Sequence, residues 1–166
     1  MRKLAVVITA LAIAASAQAA PHAASLLAAT NLRADAAQAK REHKPIVILF
    51  SLPGCPYCQV IRQNYLLPLL HDLPAKKRPI VREIDMTSAK KVIGIDGAAT
   101  TQSAVAKNLH VRVAPTLMFL DGAGEQLSAP IIGGDTAGFY NAYLDRALAE
   151  AEQKLSDTAS AQKKTP

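Results

Sequence analysis

Cys55 and Cys58 are the only cysteines in the chain, and they stand as Cys55-Pro56-Tyr57-Cys58 between two apolar stretches. Two thiols at this spacing can close a disulfide and open it again, which is the chemistry of thiol–disulfide exchange. If a helix starts at Pro56, where a missing N–H costs nothing, Cys55 faces the unpaired N–H groups of the first turn. Their partial positive charge favours a thiolate. Cys58 then lies one turn inside and is partly shielded. This placement assigns Cys55 as the attacking sulfur and Cys58 as the resolving one, which closes the ring and ejects a bound substrate. Pro56 and Tyr57 are the tuning dipeptide, because they help set how well the N–H groups hold the thiolate and hence the reduction potential.

Other uses of the pair stand beside this one. A purely structural disulfide across so short a ring removes little unfolded-state entropy, about 2 kcal/mol against about 3 for a 15-residue loop. A zinc site takes four ligands as a rule, and the chain adds only the widely separated His22, His43, His71 and His110. On a straight helix His71 would stand about 20 Å from Cys58. Soft Cu(I) held by the two thiolates is open on ligand grounds. His22, His43 and His110 read as surface residues, and Met86 and Met118 as packing. The expected cofactor set is therefore none beyond the cysteine pair, with no metal.

The surrounding sequence supplies the elements that would position the pair. Residues 46–50 are a continuous apolar run with three β-branched members, bounded by Pro45 and by Ser51-Leu52-Pro53-Gly54, which predicts a buried central strand. The cysteines sit at its exit. Val60, Ile61, Leu66, Leu67 and Leu70 give the following helix an apolar face, and Pro68 predicts a bend or stop. Upstream, residues 32–43 predict a helix capped by Thr30 or Asn31. Downstream come strand 80–84, an irregular stretch with Gly94 and Gly97, and helix 103–109. Strand 116–120 is expected to form a hairpin, through the turn 121–124, with strand 125–132. Gly133-Gly134 breaks that strand, and Asp135 caps a last helix to about residue 155. The order α-β-α-β-α-β-β-α predicts an α/β fold with a central sheet of about four strands. Residues 20–30 read as a short N-terminal lead, 31–155 as the domain and 156–166 as a disordered tail.

Composition narrows the partners. Half the residues are hydrophobic and only 4% aromatic, so Ala, Val, Ile and Leu must fill the core. The net charge of +6 invites a nucleic-acid reading, but the one tight basic run, Lys76-Lys77-Arg78, has no aromatic residues interleaved to stack bases. No nucleic-acid partner is expected. Arg2-Lys3, the apolar residues 4–15 and Ala17-Gln18-Ala19 have the form of an export signal. Residues 1–19 are expected to be removed, leaving a periplasmic protein that starts at Ala20. A membrane anchor needs about 20 apolar residues, more than this run offers, so no stable membrane insertion is expected. Disulfides persist in that compartment.

The string Phe50-Ser51-Leu52-Pro53-Gly54-Cys55-Pro56-Tyr57-Cys58, followed by Val113-Ala114-Pro115-Thr116-Leu117-Met118-Phe119-Leu120-Asp121-Gly122, resembles the thioredoxin superfamily, most of all exported proteins of the SoxW type. The resemblance covers about residues 32–155. It implies the thioredoxin fold, a cis Pro115 packed beside the cysteines, and pairing of the Ala114 backbone with an extended substrate. Two positions depart from the cytosolic pattern. Leu49 stands where those proteins place a buried Asp that assists proton transfer, and Gly54 replaces the Trp before the first cysteine. The implied activity is that of a monomeric thiol:disulfide oxidoreductase serving cell redox homeostasis. It would reduce protein or small thiosulfur disulfides and draw electrons from a membrane thiol donor. The rivals are a non-enzymatic peptide- or copper-binding module and a disulfide oxidant or isomerase.

Overall fold

A computed structural model describes residues 25–164. The expected signal peptide, its cleavage before Ala20 and His22 lie outside the described residues. The elements are α1 (Leu32–Glu42), β1 (Ile46–Ser51), α2 (Pro56–Ile61), a π-helical turn (Arg62–Leu66), α3 (Leu67–Asp72), β2 (Ile80–Asp85), β3 (Lys91–Ile93), β4 (Ala99–Thr101), α4 (Gln102–Asn108), β5 (Thr116–Leu120), β6 (Ile131–Ile132) and α5 (Tyr140–Lys164).

The main sheet has the order β2-β1-β5-β6. β1 runs parallel to β2 and antiparallel to β5, and β5 is antiparallel to β6. All six residues of β1 and all five of β5 are buried, because these strands carry helices on both faces. Alternate residues serve opposite faces. Val47, Leu49, Leu117 and Phe119 pack with Ile61 and Leu66 after the cysteines and with Leu144 and Leu148 of α5. Ile46, Ile48, Phe50, Met118 and Leu120 pack with Leu32 and Ala36 of α1 and Val105 of α4. Each such aliphatic side chain contributes about 1.5–3 kcal/mol by leaving water.

Local chemistry sets the ends. Asn31 caps α1 by accepting the Ala34 N–H at 2.9 Å, and Thr101 caps α4 by accepting that of Ala104 at 3.2 Å. His43 and His110 are exposed, and Met118 is in the core.

Several expectations need correction. The helix after the cysteines does not stop at Pro68: the turn before it widens, with the Leu67 N–H donating to Arg62 O, five residues back, and α3 carries on from there. The irregular stretch folds as the hairpin β3–β4, whose three-residue strands are too short to show a period. The fourth strand is two residues long. Leu127 N–H does return to Phe119 O at 2.8 Å, but the ladder lapses around Pro130, which has no N–H to give. The residues from 156 to 164, expected as a disordered tail, continue α5. There the Ser156, Thr158 and Ser160 hydroxyls bond to the carbonyls four residues back, so the polar side chains join the helix instead of competing with it. The lead is ordered from Leu27 to Ala29, whose backbone pairs with Glu83 on the outer edge of β2.

Candidate active site

Strand register assembles the site. Phe50 of β1 pairs with Thr116 of β5, and Thr116 pairs with Ile132 of β6. The three chain segments beyond these residues therefore emerge side by side. They are the cysteine loop after Ser51, Pro115 before β5, and Gly133-Gly134 after β6.

Cys55 is the N-cap of α2, with Pro56 at the first helical position, and its Sγ accepts the Cys58 N–H at 3.1 Å. Gly54, at φ +68°, makes the left-handed step that turns the chain from strand to helix. Cys55 and Cys58 are joined as a disulfide. Cys55 is partly exposed, whereas Cys58 is fully buried at 0% relative exposure. Of the two residues, only Cys55 reaches solvent at all.

The Ala114–Pro115 peptide bond is cis, and Pro115 itself is buried. Pro115 O accepts the Gly133 N–H at 2.8 Å, and Thr116 Oγ1 donates to Val113 O at 2.8 Å. Tyr57 is 57% exposed, yet one side of it lies on Gly134. A Cβ at that glycine would stand 2.7 Å from Tyr57 Cδ1 and 2.9 Å from its Cβ. Leu52, Tyr57, Val113 and Ile132 add exposed apolar surface on the segments that meet here.

Leu49 is fully buried on β1 and brings no carboxylate beneath the cysteines. Arg62, the first cation after the motif, is bound by Glu83 through two hydrogen bonds. Glu83 holds the Arg62 guanidinium above its ordinary pKa, and the pair's charges are spent on each other.

Sequence reasoning placed Cys55, Cys58, Pro56, Tyr57, Ala114 and Pro115 at the site, and strand register puts the two segments that carry them at the same end of the main sheet. It missed Ile132, Gly133 and Gly134. The glycine pair was visible as a strand breaker, but only the fold reveals that it lies under Tyr57. Among the described residues no group of three or more His, Cys, Asp or Glu side chains could hold a metal ion.

A family model described as a thioredoxin-like domain matches residues 32–148. The chain belongs to the thioredoxin-like family. Solved thioredoxin-like structures share its fold. A DsbH oxidoreductase is 22% identical, with a TM-score of 0.50 over 80% of this chain and 91% of that one. Thioredoxin f from spinach chloroplast is 17% identical, with a TM-score of 0.51 over 75% and 86%. The periplasmic thioredoxin SoxS from Paracoccus pantotrophus is 17% identical, with a TM-score of 0.43 over 65% and 99%. For the DsbH oxidoreductase and thioredoxin f, at these identities, the likeness is one of fold. No curated protein sequence matches. A thioredoxin-like domain with a Cys-x-x-Cys disulfide at a helix N-terminus supports thiol–disulfide oxidoreductase chemistry.

Proposed function

We propose that this protein is a periplasmic thiol:disulfide oxidoreductase of the SoxW type that works as a reductase. The observation that carries the reading is the unequal exposure of the two disulfide-bonded cysteines, with Cys58 at 0% and Cys55 partly exposed. In the reduced protein, the Cys55 thiolate attacks one sulfur of a substrate disulfide. A mixed disulfide forms, and the other substrate sulfur leaves as a thiolate that takes up a proton. Cys58 then gives up its proton and attacks Cys55 Sγ, which expels the second substrate thiolate and closes the Cys55–Cys58 bond. Two electrons have passed to the substrate, and a membrane dithiol donor must return two to restore the pair.

Direction follows from how strongly the Cys55 thiolate is held. Its Sγ is served by a backbone N–H, and no Lys, Arg or His lies within six residues before Cys55 or three after Cys58. Arg62 is committed to Glu83. A moderately stabilised thiolate makes a moderately reducing couple. A glutathione redox titration should give a potential more negative than about −180 mV, towards the roughly −270 mV of thioredoxin. A value near −120 mV would move the protein to the oxidant class.

A further inference from the structure

The π-helical turn Arg62–Leu66 changes where its side chains point, and π turns concentrate at functional sites. Tyr65 leaves this turn and donates its hydroxyl to Asp135 Oδ2, seventy positions away in sequence. Asp135 directly follows Gly134, the residue that Tyr57 lies on. The bond therefore joins the helix that carries the cysteines to the segment that faces Tyr57, the second of the two residues between them.

We propose that the Tyr65–Asp135 hydrogen bond is a positioning tie. It fixes the Gly133–Gly134 segment against Tyr57 and so holds the face that a protein substrate meets at a set distance from Cys55. This rests on the exchange activity proposed above and names two residues that tune it without touching the reacting sulfurs.

Gly133 is held from the other side by Pro115 O at 2.8 Å. The glycine pair is thus anchored to Pro115, just before β5, at its first residue, and through Asp135 to the cysteine helix just past its second. Without the second anchor, two glycines in succession are free to swing, since neither has a Cβ to restrict it. The bond is charge-assisted. The Tyr65 hydroxyl holds the Asp135 carboxyl below its ordinary pKa, and Asp135 raises that of Tyr65, so the carboxylate accepts from a neutral phenol. Tyr140 packs its ring on Tyr65 at 4.8 Å, but its own hydroxyl is buried without a hydrogen-bond partner among the described residues. The tie rests on Tyr65.

Tyr65→Phe removes one oxygen and keeps the ring contact with Tyr140. In assays on the mature chain, KM for insulin disulfide reduction should rise about fivefold while kcat stays within about twofold. Reduction of the small disulfide 5,5′-dithiobis(2-nitrobenzoate) should stay within about twofold of wild type. Asp135 also accepts the Gly138 N–H at 2.7 Å at the entry to α5. Asp135→Ser keeps a short acceptor there but cannot reach Tyr65, so it should raise the insulin KM by the same factor, and the double variant no further. An unchanged insulin KM in Tyr65→Phe would overturn the tie, as would equal losses on insulin and the small disulfide. A wild-type protein inert towards both disulfides would overturn the exchange activity itself, and the tie with it.

Discussion

Cys55 and Cys58 differ in two physical respects from which their proposed roles follow. Cys55 Sγ caps α2 by accepting the Cys58 N–H at 3.1 Å, while Cys58 itself is fully buried. A donor aimed at a sulfur stabilises its anion, and burial in apolar surroundings disfavours one. Alkylation of the reduced protein near neutral pH should therefore label Cys55 first. Cys58→Ser should accumulate mixed disulfides through Cys55, visible by mass spectrometry, because the resolving attack is gone. Preferential labelling of Cys58 would reverse the assignment. This asymmetry was legible in the sequence, since Pro56 marks a helix start and spacing does the rest. The Tyr65–Asp135 bond was not, because nothing local in either residue's neighbourhood points to a partner seventy positions away.

At the scale of elements, legibility followed length and burial. β1 and β5 are buried on both faces, so their apolar runs are unbroken and their bounds could be read directly. β3, β4 and β6 hold two or three residues each, too few for a two-residue alternation to repeat itself. The polar end of α5 looked like a tail because Ser and Thr favour loops, and its hydroxyl bonds to the helix backbone appear only once the helix exists. The continuity of the cysteine helix through Pro68 was hidden for a similar reason, since it needs a wider turn that composition does not announce. That helix is fastened to β2 by Arg62 and Glu83, whose side chains are 22% and 16% exposed. Glu83→Gln strands the Arg62 charge in a half-buried place. It should lower unfolding free energy by about 1–3 kcal/mol in urea titration, less than a fully buried pair would lose. A loss below about 0.5 kcal/mol would mean that solvent already serves Arg62.

For the whole molecule, the compartment decides whether the cysteine pair is oxidised at rest. Residues 1–19 have the form of an export signal, and among the described residues no helix is long and apolar enough to cross a membrane. Mass spectrometry of the exported protein should find a chain beginning at Ala20. A chain that keeps Met1 and stays with the membrane would displace the periplasmic reading.

The outer edges of the main sheet have a consequence for how such a protein survives among unfolded chains. Along β2, the lead donates and accepts at Glu83, with both bonds at 2.9 Å, so part of that border is already occupied by the protein's own backbone. At the opposite border, β6 offers two residues before the glycines end it. An exposed, long strand edge templates aggregation. Here one margin is partly sealed and the other cut short, so an unfolded chain finds little backbone to zip against.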